Sequence, residues 1–216
     1  MTKVRGAHAI VTGGSSGIGL ATARLLVAGG ASVSLVARGA DRLDQAALAL
    51  GLGLGGTVRT AAVDVSDPVA LRSAFEGFFA EGGPCDILVS AAGLARPGHF
   101  LELGDEVFRQ MMEVDYFGTL QAIRLVAPGM VARGRGSIVA VSSGTALLGF
   151  FGYTAYAPAK FAVRGLMEAL RAGADRSTCR LCVPARRRHS TASRGKPLQA
   201  SRNRRDQRLP QTHLRR

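Results

Sequence analysis

Tyr156 and Lys160 stand four residues apart in the stretch YAPAK, and Ser143 closes the run IVAVSS thirteen residues before the tyrosine. On a helix, positions i and i+4 share one face. A free tyrosine loses its proton only near pH about 10. A neighbouring ammonium favours the phenolate and is expected to lower that value, so that the phenol can exchange a proton at neutral pH. A serine beside it can hydrogen-bond a carbonyl oxygen. Together these three side chains suit proton transfer to or from a carbonyl–alcohol pair. A lone Tyr-x-x-x-Lys is commonplace, so the weight of the pair depends on what accompanies it.

It is accompanied by TGGSSGIG, Thr12 to Gly19, placed between a strand pattern and a helix pattern. Gly13 allows a tight turn, Gly17 lets the backbone approach a pyrophosphate, and Gly19 permits close helix–strand packing. Ser15, Ser16 and Ile18 belong to the same turn. The free N–H groups of a helix start point at phosphates there, which predicts dinucleotide binding. The end of the second strand selects the cofactor. It reads Ala37-Arg38, with Arg42 one helical turn further on and no carboxylate at the strand end itself. Two guanidiniums suit a 2′-phosphate, so NADPH/NADP+ is expected rather than NAD.

The elements that must carry these residues alternate. Strand patterns cover 7–12, 31–38, 57–65, 85–93 and 136–143; helical patterns cover 17–30, 40–50, about Asp105 to Ala132, and Thr154 to Ala172. A further helix opens with Asp67 as its cap and Pro68 at its first position. This order predicts an α/β fold, a doubly wound parallel sheet of Rossmann type with ligands at the C-terminal strand ends. Hydrophobic residues make up 47% of 216 residues, enough for one sizeable core. The start of the chain does not read as a secretory leader. Residues 136–159 carry no charge, but their serines, glycines and Pro158 fit a buried strand and an active-site loop better than a membrane span. Three cysteines provide no disulfide framework, and a reducing cytoplasm is the expected compartment. The pair in CRLC, Cys179 and Cys182, is a weak signal, and no metal is expected.

With these motifs in view, the chain resembles the short-chain dehydrogenase/reductases. TGGSSGIG, VDVS, SAAG, IVAVSS and YAPAK stand in that family's order and approximate spacing over residues 5 to 172. The resemblance implies Ser143, Tyr156 and Lys160 as catalytic residues. It places Asp64 and Val65 near the adenine and Ala92-Gly93 beside the cofactor. It implies hydride exchange between nicotinamide and a carbonyl carbon. VARGADRL, MMEVDYFGT and LGFFGYTAYAPAKFAVRGLMEAL are similar to the 3-ketodihydrosphingosine reductase group, implying a lipid ketone substrate. Another short-chain ketoreductase with a different substrate is the alternative. Two departures stand out. Asp115, which the resemblance also places among the catalytic residues, occupies a position where the family has an Asn that fixes a local helix distortion and helps order a water near the lysine; an ionised Asp accepts hydrogen bonds but cannot donate them. Pro158 replaces a small residue between Tyr156 and Lys160, where a helix start tolerates a missing N–H.

Residues 173–216 are unlike the rest. They hold 13 of the 28 Lys and Arg residues but 2 of the 15 Asp and Glu, and no hydrophobic period. The expected organisation is therefore a reductase domain at 1–172, lacking its C-terminal strands, and a basic disordered tail at 173–216. No aromatic interleaving or helical stripe organises the tail, so no nucleic-acid partner is expected. Codons that could encode it, read one base later, yield a string containing FPPDVDTPQL. That string resembles the reductase group just after its active-site helix. The tail thus reads as a frameshift product with the shift near residues 172–178, and a homo-oligomer is expected only of the intact-frame form.

Overall fold

The computed structural model describes residues 2–51, 57–173 and 179–182. Strand β1 (His8–Thr12) leads into α1 (Gly17–Ala28), β2 (Ser32–Ala37), α2 (Ala40–Gly51), β3 (Val58–Ala62), α3 (Pro68–Gly82) and β4 (Ile87–Ser90). Then come α4 (Asp105–Met111), a π-helical turn (Met112–Phe117), α5 (Gly118–Ala132), β5 (Ser137–Val141), α6 (Tyr156–Gly173) and β6 (Cys179–Cys182). The strands form one sheet in the order β3-β2-β1-β4-β5-β6, every neighbouring pair parallel. This is the expected doubly wound arrangement, and the order reverses between β1 and β4, where such folds open a ligand crevice.

The sheet corrects one expectation. A strand exists inside the segment expected to lack one: Cys179–Cys182 pairs with Ile138–Val141. Pairing needs only backbone N–H and C=O groups, and the outer edge of β5 offers a row of them. The absence of a hydrophobic period therefore did not forbid a strand. β5 is an inner strand, not an unpaired edge. All described residues belong to one compact unit, which runs past the expected boundary at 172. Of the tail read as frame-shifted, 173–216, the described residues include only 173 and 179–182, and the rest of that reading lies outside them.

Strand alternation builds two cores, one on each face of the sheet. Ile10, Val36, Leu88 and Ile138 face Leu71, Phe75, Ile123, Val126 and Val163 from α3, α5 and α6. Val11, Val33, Leu35 and Val89 face Leu26, Val27, Leu43 and Leu50 from α1 and α2. Each large side chain so buried stabilises the fold by roughly 1.5–3 kcal/mol. Asp67 caps α3 as expected, accepting the Val69 and Ala70 N–H groups at 3.0 Å, with Pro68 at the first helical position.

The long helix expected from about Asp105 to Ala132 carries a π turn at Met112–Phe117, around Asp115, where the resemblance implied a local helix distortion. Local contacts hold that turn open. The Thr119 hydroxyl donates to the Asp115 carbonyl at 2.8 Å, and the Leu94 N–H donates to Asp115 Oδ1 at 3.2 Å. Such turns gather at functional sites because they redirect a side chain without ending the helix. α6 begins at Tyr156, and Pro158 falls in its first turn, where N–H groups lack helical acceptors in any case.

Candidate active site

The glycine turn is built by backbone contact. Gly13 has φ +69°, and a methyl group on it would sit 2.7 Å from the Ala91 carbonyl carbon and the Ala92 nitrogen. A methyl on Gly19 would run into the Gly13 carbonyl. These glycines bring the β1–α1 turn against the end of β4, and Thr12 secures the junction. Its hydroxyl accepts the Ala92 N–H at 3.3 Å, and its carbonyl accepts the Ala91 N–H at 3.1 Å. Gly17 differs: its φ is +54°, and nothing lies within 4 Å of where a side chain would begin. Ser16 caps α1 without a side-chain hydrogen bond. Ser16 and Ile18 are exposed beside Gly17, and Ser15 is half-buried. A backbone cradle with free N–H groups and open space in front of it fits a dinucleotide pyrophosphate.

At the end of β2, Arg38 and Arg42 are both exposed. Arg38 lies 3.9 Å from Asp64, so a carboxylate stands closer to that end than the β2 run alone suggests. Asp64 is itself occupied by Ser66, whose N–H and hydroxyl donate to it at 2.9 and 2.7 Å. Both Arg38 and Asp64 are open to solvent, and such a pair is worth at most about 1 kcal/mol, so an arriving phosphate can displace it. The Val65 side chain is buried in the core and leaves no space for a side chain on Gly118. Any part it plays toward a cofactor falls to its backbone.

Ser143, Tyr156, Lys160 and Asp115 come together at the C-terminal ends of β4 and β5. Ser143 follows β5, and its Oγ accepts the Thr145 N–H at 3.3 Å, which orients the side chain. Its side chain also acts on the Tyr156 phenol, favouring the ionised form. Lys160 is 4% exposed; its ammonium donates to the Val141 carbonyl at 3.3 Å and lies 5.5 Å from the centre of the Tyr156 ring. Asp115 is fully buried, with Oδ1 3.1 Å from Lys160 Nζ. Gly93 lies over this pair: a methyl on it would strike Asp115 Oδ1 and sit 3.2 Å from Lys160 Nζ.

The expected electrostatics do not hold. The phenol of Tyr156 is raised above its ordinary value, not lowered: burial is the main cause, the Ser143 hydrogen bond opposes it, and the Asp115 charge adds to it. Burial also raises the Asp115 carboxyl, against the pull of Lys160. The sequence places Lys160 near the phenol but does not show that a carboxylate would meet the ammonium first.

Sequence reasoning missed several participants. The Val141 carbonyl and Leu94 amide carry no residue-type signal. The run LLGFF at 147–151 does carry one, since it sets apolar residues in a glycine loop. Leu147, Leu148, Phe150 and Phe151 are all exposed, Phe151 at 89%, and Phe100 and Leu101 are exposed on the loop after β4. The two loops are joined by the Gly98 N–H donating to the Gly152 carbonyl at 2.9 Å and by an edge-on His99–Phe151 contact at 6.0 Å. They form an apolar rim beside Ser143 and Tyr156. Among the described residues, no helix is long and apolar enough to cross a membrane.

A sequence model of the short chain dehydrogenase family matches residues 7–184. This chain belongs to that family. Among curated members, a 3-dehydrosphinganine reductase of Danio rerio is 42% identical over 172 residues, covering 78% of this chain and 52% of that protein. A 3-ketodihydrosphingosine reductase of Dictyostelium discoideum is 37% identical over 186 residues, covering 78% and 56%. The chain thus spans about half the length of these relatives. Among solved family structures, L-sorbose reductase from Gluconobacter frateurii, complexed with NADPH and L-sorbose, superposes with a TM-score of 0.75 at 34% identity. That match covers 78% of this chain and 64% of the other. An alcohol dehydrogenase from Thermococcus sibiricus, complexed with 5-hydroxy-NADP, superposes at 0.76 with 27% identity, covering 82% and 74%.

Proposed function

We propose that this chain is an NADPH-dependent carbonyl reductase that reduces 3-ketodihydrosphingosine to the corresponding alcohol. The observation that carries the reading is the placing of Ser143 and Tyr156 at element ends beside the glycine crevice, with the Lys160 ammonium 5.5 Å from the centre of the Tyr156 ring. Gly13, Ser15, Ser16, Gly17, Ile18 and Gly19 would hold the pyrophosphate, Arg38 and Arg42 the 2′-phosphate, and Ala92-Gly93 the ring-bearing end. NADPH bound there supplies a hydride to the carbonyl carbon. Ser143 donates a hydrogen bond to the carbonyl oxygen and orients it. Tyr156 then gives its proton to that oxygen as the C=O becomes CH–OH, and a phenol that holds its proton at neutral pH is suited to that step. The apolar rim of Phe100, Leu101, Leu148, Phe150 and Phe151 supports a long-chain ketone, as do the names of the curated relatives. NADPH is supported by the two arginines and by the solved relatives that hold NADPH or 5-hydroxy-NADP.

The test is turnover of 3-ketodihydrosphingosine with NADPH, beside a short 3-ketoacyl compound and a steroid ketone. The lipid is expected to be reduced with the highest kcat/KM; equal or better use of the short ketone overturns the substrate assignment. The tail at 173–216 is read as a one-base-displaced translation, with the shift near residues 172–178. Sequencing the gene across codons 165–185 decides that point, because an uninterrupted frame there overturns it.

A further inference from the structure

We infer that Arg164 is a positioning residue for the reaction: from α6 it holds the turn that carries Ser143, by way of the Ala146 carbonyl, and so fixes the Ser143 hydroxyl relative to Tyr156 on the same helix. The inference rests on the proposed role of Ser143 in orienting the ketone.

Tyr156, Lys160, Arg164 and Glu168 stand at four-residue intervals on α6 and form one stripe. The segment leaving β5 meets that stripe at successive turns. The buried Ser142 hydroxyl donates to the Lys160 carbonyl at 3.3 Å, and the Lys160 ammonium donates to the Val141 carbonyl at 3.3 Å. One helical turn further on, Arg164 Nη1 donates to the Ala146 carbonyl at 3.2 Å. Ser143 therefore lies between two attachments to the helix that carries Tyr156, Ser142 before it and Ala146 after it.

The second attachment answers a physical need. Gly144–Ala146 is a single 3-10 turn, closed by the Ala146 N–H on the Ser143 carbonyl and the Leu147 N–H on the Gly144 carbonyl, both at 3.0 Å. The last carbonyls of a helical turn lack partners within it. Ala146 is fully buried, so its carbonyl cannot turn to water, and a buried acceptor left unmet is costly. The Arg164 guanidinium supplies the donor. Glu168 aims it: Arg164 Nε donates to Glu168 Oε1 at 2.7 Å, and a planar guanidinium bonded at two nitrogens is fixed in orientation. An exposed i,i+4 ion pair by itself contributes little, so it is the contact with the buried carbonyl that sets Arg164 apart.

Ala146 also marks a border. Thr145 and Ala146 are buried, whereas Leu147 and Leu148 are exposed at the start of the apolar rim. A ketone pressing on the rim pushes on the chain at this point. Arg164 takes up that push before it reaches Ser143, whose Oγ is oriented by the Thr145 N–H at 3.3 Å. Loss of the guanidinium should therefore loosen Ser143 and the start of the rim together, while the glycine turn at the ends of β1 and β4 stays as it is.

The experiment is a double-mutant cycle in kcat/KM for ketone reduction with NADPH, on the full chain, using Arg164→Met and Ser143→Ala. Methionine keeps an apolar stem and removes every donor. Acting through Ser143, Arg164→Met should lower kcat/KM about tenfold when Ser143 is present and less than about twofold in the Ser143→Ala background. A merely structural role would cost the same factor in both backgrounds, and that result overturns the inference. Without cofactor or ketone, the Leu147 and Leu148 amides should exchange hydrogen about tenfold faster in Arg164→Met, with the β1 amides unchanged. Equal acceleration in β1, or none at Leu147 and Leu148, overturns the inference as well. Should Arg164→Met fail to fold, Arg164→Gln, a helix former too short to reach the Ala146 carbonyl, is carried through the same cycle and the same exchange measurement with the same two outcomes. Full turnover by Ser143→Ala would instead remove the role of Ser143 beneath the inference, a different failure from a missing coupling.

Discussion

At the β1–α1 turn the close contacts are between backbones, whereas the α6 site is held by charge. Gly13 and Gly19 leave no space for a methyl group, and no ionised side chain is needed to hold that turn. At α6, Asp115 and Lys160 are both buried and meet at 3.1 Å. Steric fit does not titrate, so the cofactor cradle should keep its shape across pH. A buried ion pair does titrate, so the acid site should carry the pH dependence of the reaction. On the function proposed above, binding and chemistry would be under separate physical control in one crevice.

The largest break in this contrast is expected from Tyr156→Phe. The ring still packs but the proton is gone, so ketone reduction should fall by about 10²–10⁴-fold while NADPH affinity, measured by fluorescence titration, stays near normal. Loss of NADPH binding in that variant would show that the two regions are not separable.

Gly13→Ala attacks the other region. A side chain at φ +69°, 2.7 Å from the Ala91 backbone, combines backbone strain with overpacking and should destabilise the fold by roughly 2–5 kcal/mol. The midpoint of thermal unfolding should fall by about 5 °C or more. Gly17→Ala sharpens the comparison. It meets open space, so only the strain of a positive φ, about 1–2 kcal/mol, should appear in the melt, while NADPH affinity suffers more. Equal melting losses for the two variants would contradict the view of Gly13 as packed and Gly17 as open.

Arg38→Ala should reduce the preference for NADPH over NADH by about 1.5–3 kcal/mol, the range for hydrogen bonds to charged groups. Ratios of kcat/KM for the two cofactors measure it, and an unchanged ratio would move the 2′-phosphate contact elsewhere.

The smallest effect belongs to His8, at the end of β1 away from the glycine turn. Its ring is bonded to the Gly83 carbonyl at 2.8 Å and the Ser34 hydroxyl at 2.9 Å, and burial lowers its value below the ordinary one. The unfolded chain therefore takes up a proton first as pH falls. The contribution of His8 to stability is complete above about pH 6.5 and is lost as pH drops through the folded value. Lowering pH from about 7 to 5 should reduce the unfolding midpoint by a few degrees, and His8→Asn should flatten that slope.

Much of this protein was determined by its sequence alone. Glycine spacing, strand–helix alternation and the caps Asp67 and Pro68 depend on local geometry, which residue type reports directly, and the parallel sheet and the glycine crevice follow from them. Ser143, Tyr156 and Lys160 were legible for the same reason, since each sits at an element boundary that the pattern marks. Only the tertiary structure decided three things. It brought the Leu94 N–H, 21 residues away, onto Asp115 in the π turn. It paired Cys179–Cys182 with β5, because backbone groups at a strand edge accept a partner whatever its side-chain pattern. It turned the Lys160 charge toward Asp115 and raised the Tyr156 phenol above its ordinary value, because burial and through-space charge depend on neighbours that are distant in the chain.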